Sequence, residues 1–187
     1  MNAASSDRDL VLRARRGDAE AFGELVRRYQ TAVFNVCYRL MGERRDAEDM
    51  AQEAFIRAYA RLETFDVERP FAPWVRRVAA NLCLNRLASL PPPQADVDEE
   101  HEPGGPELHP EALLEQRERS RLLRAALLAL PPHYRVVIEL RHYQELSYDE
   151  IAETLQLPLS DVKSHLFRAR KLLAEKLAHS NPPPTDH

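Results

Sequence analysis

The sequence has few of the features that mark secreted proteins, membrane proteins or metalloproteins. Its two cysteines, Cys37 and Cys83, lie in apolar helical patterns, which favours small core residues over a disulfide. It has no run of about 18 apolar residues and no charged-then-apolar signal at its N-terminus, so we expect a cytoplasmic protein. His101 and His109 lack cysteine partners at zinc-ligand spacing, and we therefore expect neither a metal nor another cofactor.

Motifs for catalysis are absent as well. The sequence contains five glycines, and they do not form a phosphate-binding loop. It also lacks a paired constellation of His, Asp and Ser side chains. We therefore expect a binding protein that is not an enzyme.

The acidic charge of the chain is concentrated in its middle. The net charge is −4, but residues 1–90 carry 15 basic and 13 acidic side chains, residues 91–118 carry 1 and 9, and residues 119–187 carry 10 and 8. Neutralisation of phosphates supplies most of the non-specific affinity of proteins for DNA. The two mildly basic parts are therefore expected to bind DNA only weakly on their own.

A proline-rich acidic segment divides the chain. Residues 91–110 read PPPQADVDEEHEPGGPELHP, which offers too little apolar surface to offset the entropy lost on ordering. We predict a flexible, extended linker over residues 91–112, between one domain at residues 1–90 and another at residues 113–178. Residues 179–187 are predicted to be a disordered tail.

The composition predicts an all-α protein made of two small helical domains. Four helices precede the linker, over about residues 9–16, 19–41, 46–62 and 73–88, with Asp18 suited to cap the second. The second helix has an apolar stripe at helical spacing, formed by Phe22, Leu25, Val26, Tyr29, Val33, Val36, Cys37 and Leu40. The third is predicted to direct a set of apolar side chains inward, namely Ala47, Met50, Ala51, Ala54, Ala58 and Leu62.

The segment after the linker has the pattern of a helix-turn-helix domain. Helices are predicted over about residues 113–130 and 132–143. Ser147 and Glu150 then form a capping box at the start of a short helix. A break at residues 156–159 follows, and Ser160 is predicted to cap a longer second helix, which completes the motif.

The second helix of this motif separates apolar from polar side chains. Its inward face comprises Val162, Leu166, Ala169 and Leu173. Hydroxyls near the N-terminus and cations further along suit insertion into a major groove. The candidate DNA contacts are Ser160, Asp161, Lys163, Ser164, His165, Phe167, Arg168 and Lys171. The alternative is an ordinary amphipathic helix with a solvated charged face.

The chain resembles the extracytoplasmic-function (ECF) sigma factors of the sigma-70 superfamily. Four segments carry the resemblance, in this order: FGELVRRYQTAVFNVCYRLMG, DAEDMAQEAFIRAYARLETF, PWVRRVAANLCLNRL and LPPHYRVVIELRHYQELSYDEIAETLQLPLSDVKSHLFRARKLL. The resemblance implies a subunit that binds core RNA polymerase, recognises the −10 and −35 promoter elements, and directs promoter melting and initiation. It also implies an anti-sigma factor as a partner, without membrane insertion.

The third helix carries a predicted protein-docking surface. Acidic and amide side chains surround one branched aliphatic side chain on the face turned away from the core: Asp49, Gln52, Glu53 and Ile56. The resemblance implies that this face binds the clamp helices of the large polymerase subunit. The alternative is a solvated face with one stray isoleucine.

The fourth helix and the loop before it are predicted to hold single-stranded DNA. An aromatic, a cation and two amides line one stripe of the helix: Trp74, Arg77, Asn81 and Asn85. The resemblance implies that they bind the melted −10 element, and that the loop accommodates a flipped-out base with Phe65, Arg69 and Phe71. A core role for Trp74 is the alternative.

The chain departs from the family pattern in ways that affect individual contacts. Gln156 stands in the turn where relatives usually have glycine, and His165 stands where the recognition helix often has arginine. A second function also stays open: a helix-turn-helix regulator that binds operator DNA without polymerase. That regulator would bind duplex DNA tightly alone, whereas a sigma factor requires core enzyme.

Overall fold

The computed structural model describes residues 5–90 and 110–180, and every regular element within these ranges is helical. The predicted all-α fold with two helical domains is confirmed. Most of the predicted linker, including its two histidines, lies outside the described residues, as does the tail from residue 181 onward. The domain limits at residues 1–90 and 113–178 stay predictions.

Over the described residues 5–90, the N-terminal domain contains four α-helices and one 3-10 turn at Leu62–Thr64. Ser6 caps the first helix by accepting a hydrogen bond from the amide of Asp9 at 3.1 Å. Asp18 caps the second, as predicted, by accepting from the amide of Ala21 at 3.1 Å. The helices are α1 (Asp7–Arg15), α2 (Ala19–Met41), α3 (Arg44–Ala60) and α4 (Phe71–Ser89).

The core of this domain is built around α2, whose predicted apolar stripe is confirmed. The buried members of the stripe are Leu25, Val33, Val36, Cys37 and Leu40. Small side chains let α3 approach α2 closely, because Ala47, Ala51, Ala54 and Ala58 are all buried. Cys37 and Cys83 are free, buried thiols, as expected of core residues. Hydrogen bonding with the Cys37 thiol, together with burial, raises the pKa of Cys83, which keeps it protonated.

Within residues 110–180, the C-terminal domain contains four further α-helices. The second of them continues into a π-helical segment at Glu139–Tyr143, where the sequence pattern predicted an unbroken helix. The apolar side chains that form the centre of the domain include Leu130, Val136, Leu140, Ile151 and Leu166. The helices are α5 (Pro110–Leu128), α6 (Pro132–Ile138), α7 (Tyr148–Leu155) and α8 (Leu159–Ser180).

The helix-turn-helix is formed by α7 and α8. The predicted capping box is confirmed: the Ser147 hydroxyl accepts from the Glu150 amide at 3.2 Å, and the Glu150 carboxylate accepts from the Ser147 amide at 2.8 Å. Gln156 ends α7 in the left-handed region, with φ of 53°. The prediction that Ser160 caps α8 is wrong, because α8 begins at Leu159 and Ser160 lies inside its first turn. The Pro158 carbonyl instead accepts from the amides of Asp161 and Val162.

The two domains pack against each other along α2 and α4. Arg39 on α2 forms an ion pair with Glu139 of the C-terminal domain, and Asn81 on α4 donates a hydrogen bond to the carbonyl of Thr154 on α7. Gly42, with φ of +89°, lets α5 approach the end of α2, because a Cβ there would lie 3.0 Å from the Leu128 side chain.

Candidate nucleic-acid and protein-binding surfaces

The outward face of α8 is the best-formed candidate surface for DNA. Val162, Leu166 and Ala169 are buried, which anchors the helix with its opposite side in solvent. Phe167 on that side is 70% exposed, a large apolar ring without cover. The predicted contacts that share this exposed face are Ser160, Asp161, Lys163, Arg168 and Lys171.

Two of the predicted DNA contacts on α8 are less accessible than the others. Ser164 and His165 are half-buried, and the His165 ring packs edge-on against His133 at 5.2 Å and Tyr134 at 5.5 Å, measured between centroids. The Nδ1 atom of His165 is buried. Burial, with a smaller contribution from the charge of His165, lowers the pKa of His133. His165 therefore joins α8 to α6 and is turned partly away from the exposed face.

The outward face of α3 presents the predicted docking surface. Ile56 is 63% exposed, and Asp49 and Gln52 are exposed beside it. Glu53 is half-buried, and its Oε1 atom accepts a hydrogen bond from Nε of Arg57 at 2.8 Å. The structure adds Tyr59, which is exposed one turn beyond Ile56.

The sequence pattern did not indicate Tyr59 as part of the α3 surface, because a tyrosine beside an alanine-rich stripe resembles a core residue. Its ring contacts Phe22 edge-to-face, with 4.9 Å between centroids. Its spacing of three residues from Ile56 was the available signal, since residues so spaced share a helix face. Ile56 and Tyr59 together give the α3 surface a larger apolar centre than the sequence predicted.

The aromatic side chains around the start of α4 form one packed cluster. Trp74 is half-buried, and its ring lies 4.7 Å from Phe65 and 5.5 Å from Phe71 between centroids. Phe71 is 1% exposed and Phe65 is also buried. Neither phenylalanine therefore offers a ring face to DNA in this structure. Both rings pack against Trp74, so the structure places Trp74 at the edge of the core, and its role in DNA binding stays a prediction.

The polar members of the α4 surface differ in their accessibility. Asn85 is exposed at the end of the stripe, whereas Arg77 and Asn81 are half-buried. Asn81 donates to the Thr154 carbonyl at 3.2 Å, which links it to the C-terminal domain. Arg69 in the preceding loop is exposed and pairs with Asp66 at 3.6 Å. The structure thus brings Trp74, Arg77 and Asn81 to one face, with α7 lying against part of it.

The described part of the chain shows neither a metal site nor a membrane span. Within residues 5–90 and 110–180, no group of three or more His, Cys, Asp or Glu side chains is arranged to hold a metal ion. No helix in the same ranges is long and apolar enough to cross a membrane.

Two packed helical domains, one of which contains a helix-turn-helix with an exposed polar face, are typical of a DNA-binding protein. The family model described as Sigma-70 region 2 matches residues 25–90, and the model described as Sigma-70, region 4 matches residues 120–173. The chain belongs to the ECF RNA polymerase sigma factors, since curated members of that family are 35% and 37% identical to it over 89% and 95% of its length.

Known relatives match the chain along most of its length. The ECF RNA polymerase sigma-E factor of Escherichia coli (strain K12) is 37% identical over 186 residues, which cover 95% of this chain and 97% of that protein. The ECF RNA polymerase sigma factor SigW of Bacillus subtilis is 35% identical over 179 residues, which cover 89% and 94%. These relatives are sigma factors, a class of protein that is not enzymatic.

Solved structures show the same arrangement of helices. CnrH in complex with the cytosolic domain of CnrY has a TM-score of 0.62 and 27% identity, and the match covers 95% of this chain and 100% of that one. The sigma factor RpoE in complex with the anti-sigma factor NepR from Bartonella quintana has a TM-score of 0.62 at 18% identity, with coverage of 87% and 100%. The second likeness is one of fold alone.

Proposed function

We propose that three surfaces of this chain each bind a different component during promoter-directed initiation. The α3 surface binds the clamp helices of core RNA polymerase, through Asp49, Gln52, Glu53 and Ile56. The α4 surface and its loop hold the single-stranded −10 element, through Arg69, Trp74, Arg77, Asn81 and Asn85, with Phe65 and Phe71 as support. The α8 surface reads the −35 element, through Ser160, Asp161, Lys163, Ser164, His165, Phe167, Arg168 and Lys171.

The observation that carries this proposal is the exposure of Ile56. A branched aliphatic side chain that is 63% exposed on a rigid helix, with acidic neighbours, suits the centre of a protein interface. A regulator that binds operator DNA alone has no need of this surface. Its acidic rim also disfavours contact with DNA phosphates, so a protein partner fits the charge better.

The α4 surface suits single-stranded DNA for chemical reasons. Trp74 offers a π-face on which a base can stack, which contributes about 1–3 kcal/mol per base in proteins of this kind. Arg77 and Arg69 can meet phosphates, and the amide of Asn85 can bond to a base edge. Melting unstacks the bases beforehand, so the surface does not have to open the duplex unaided.

The α8 surface suits duplex DNA. The exposed Ser160 and Lys163 lie near the N-terminus of the helix, where a recognition helix meets base edges. Phe167 can contact a thymine methyl group, and Arg168 and Lys171 can contact phosphates.

Replacement of Ile56 by glutamate tests the role of the α3 surface. We expect Ile56→Glu to lose binding to core polymerase and promoter-specific transcription, because a charge would be buried at the centre of the interface. Leu114→Glu is the matched control, since Leu114 on α5 is 64% exposed and receives the same change. Equal polymerase binding by both variants would refute the proposal.

A mobility-shift assay separates the sigma factor from a stand-alone regulator. We expect weak binding of promoter duplex by the protein alone and tight, specific binding once core polymerase is added. Tight duplex binding without polymerase would favour the regulator.

The partners and the place of action follow from the same proposal. An anti-sigma factor is expected to bind the α3 surface or α8, because either contact would block initiation. The protein is expected to act in the cytoplasm, where core polymerase transcribes the genome. Affinity capture of the folded chain from its own cells, followed by comparison with the Ile56→Glu variant, tests which surface such a factor needs.

A further inference from the structure

Arg15, in the last turn of α1, reaches the loop that connects α3 with α4 (residues 61–70). Its Nε atom donates a hydrogen bond to the Leu62 carbonyl at 2.9 Å, and its Nη2 atom donates to the Phe65 carbonyl. These carbonyls lie at the start of the 3-10 turn and directly after its end. A single half-buried side chain from another helix therefore holds the main chain of the loop at two points.

An arginine suits this contact because of the shape of its guanidinium group. The group presents several N–H donors in one rigid plane, so two of them can bond to two different carbonyls at once. A lysine has one nitrogen and cannot span the pair in the same way. The positive charge of Arg15 also lies at the C-terminal end of α1, where the partial negative charge of a helix favours a cation.

Two further contacts link α1 to the same loop. Arg8 donates from Nε to the Glu68 carboxylate at 3.2 Å, but this pair is exposed and is expected to contribute little. Asp7 accepts a hydrogen bond from the Tyr29 hydroxyl, and the Tyr29 ring lies 5.6 Å from the Phe71 ring between centroids. The Arg15 contact is the one that is both shielded from water and made directly to the main chain of the loop.

Phe65 connects the Arg15 contact to the α4 surface. Its main chain is extended, with φ of −71° and ψ of 131°, and its carbonyl accepts from Arg15. Its buried ring lies 4.7 Å from the Trp74 ring between centroids. Because side chains in a packed core leave little free space, a shift of Phe65 would also displace Trp74.

The same loop carries the cation proposed to meet the DNA backbone. Arg69 follows Phe65 by four residues, and its amide donates to the Asp66 carbonyl at 3.0 Å in a turn. A binding site distinguishes similar ligands only when its groups are held close to the productive geometry by supporting contacts. The path of the main chain at Phe65 therefore influences where both Trp74 and Arg69 stand.

We propose that Arg15 is a positioning residue for recognition of the −10 strand. By holding the carbonyls of Leu62 and Phe65, it keeps Trp74 and Arg69 in the geometry that distinguishes the preferred −10 bases from others. This inference rests on the proposed role of the α4 surface in holding that strand. Arg15 acts on the strand only through the loop, so its loss should lower discrimination between bases more than overall binding.

Promoter variants test this role with polymerase that carries the full chain. Transcription is measured from a promoter of this protein and from versions with single base changes in the −10 or the −35 element. We expect Arg15→Ala to lower the preference for the natural −10 bases about three- to tenfold, as for one or two lost hydrogen bonds. The preference for the natural −35 bases should stay the same.

Arg16→Ala is the matched control, because Arg16 is the next residue, is exposed and carries the same charge. It should leave both preferences unchanged. A loss of folded protein would lower transcription from all promoters in equal proportion and would not alter either preference. An Arg15→Ala holoenzyme with the −10 preference of the unmodified protein would overturn the proposal.

Arg15→Lys separates the role of the charge from that of the two hydrogen bonds. Lysine keeps the cation at the end of α1 but can bond to only one of the two carbonyls at a time. We expect a −10 preference between those of Arg15→Ala and the unmodified protein, with circular dichroism to confirm that each variant is folded. Complete recovery with lysine would overturn the argument from the paired carbonyls.

Fluorescence of Trp74 tests the link through Phe65 without DNA, because this is the single tryptophan of the chain. We expect acrylamide to quench Trp74 more strongly in Arg15→Ala than in the unmodified protein, since the loosened loop would expose the ring. Arg16→Ala should be quenched as the unmodified protein is. Unchanged quenching in folded Arg15→Ala would overturn the link between the two side chains.

Arg77→Ala separates failure of this inference from failure of the proposed role of α4. If the α4 surface holds the strand, Arg77→Ala lowers promoter transcription in the same assay. Unchanged transcription would refute the role of α4 and the inference with it. Lowered transcription, combined with an unchanged −10 preference for Arg15→Ala, would refute the positioning role of Arg15 alone.

Discussion

Arg39 on α2 and Glu139 on the π-helical segment form a two-bond ion pair that joins the domains across 100 residues of sequence. The Nε–Oε2 distance is 2.7 Å and the Nη2–Oε1 distance is 2.8 Å. Glu139 is only 2% exposed, and the Gln144 amide adds a third hydrogen bond at 3.4 Å. Paired bonds of this kind restrict orientation, so they define how the C-terminal domain meets α2.

Removal of the arginine should destabilise the protein more than neutralisation of the glutamate. Arg39→Ala leaves a buried carboxylate without its cation, and we expect the free energy of unfolding to fall by about 1–3 kcal/mol. Glu139→Gln should lose less, because its amide oxygen can still accept from Arg39. Urea unfolding followed by circular dichroism measures both changes. A larger loss for Glu139→Gln would contradict this interpretation of the pair.

Replacement of Gln156, in the turn of the helix-turn-helix, by glycine should stabilise the protein. Gln156 has φ of 53°, a conformation that costs a non-glycine residue roughly 1–2 kcal/mol. Gln156→Gly relieves this cost but adds freedom to the unfolded chain, so we expect a net gain of about 0.5 kcal/mol. Gln156→Val should be destabilising. Denaturant midpoints measure both, and a lower midpoint for Gln156→Gly would count against the argument.

The capping box should make the stability of the C-terminal domain depend on acidity. Ser147→Ala removes the cap and should cost about 1 kcal/mol. The pKa of Glu150 lies below its ordinary value of 4.5, because Ser147 donates hydrogen bonds to the carboxylate. The resulting stabilisation is complete above the ordinary pKa and is lost as the pH falls through the lowered one. Between about pH 7 and about pH 3, the melting temperature of Glu150→Gln should fall less than that of the unmodified protein.

Two substitutions on α8 should affect promoter binding in different ways. Phe167→Ala should weaken binding by holoenzyme without changing its salt dependence, because the contact proposed for this uncharged ring is with bases or sugars and not with phosphates. Lys171→Ala should reduce the slope of log affinity against log salt by about 1, the change expected for one lost phosphate contact. Binding isotherms at several salt concentrations measure both. Identical slopes for Lys171→Ala and the unmodified protein would place Lys171 away from the DNA.

Local sequence patterns predicted the helices, together with two of the three caps that were named, at Asp18 and Ser147. The stripe from Leu25 to Leu40 repeats at the helical period, and the Ser147 and Glu150 pair is recognisable three residues apart, so both could be predicted without tertiary information. The start of α8 was misplaced by two residues, because a cap at Ser160 would begin the helix at Asp161, whereas it begins at Leu159, directly after Pro158. The π-helical segment left no periodic signal in a run of five residues.

Contacts between distant segments could not be predicted in the same way. Nothing local to Arg39 indicates a partner 100 residues away. Phe65 and Phe71 were predicted as DNA contacts because the family resemblance implies that their loop accommodates a flipped-out base. Their rings instead pack against Trp74, which depends on the path of the loop. His165 follows Ser164 on a polar helix face, and only the position of α6 turns its ring inward. Burial and interdomain contacts depend on the assembled fold.

Sequencing of the transcripts made in vitro by core polymerase, with and without this protein, tests the central claim most directly. On genomic DNA from its own organism, the protein should create a discrete set of start sites, each preceded by two shared sequence elements at constant spacing. Ile56→Glu should abolish that set and Leu114→Glu should preserve it. Start sites that do not differ from those of core polymerase alone would contradict the account.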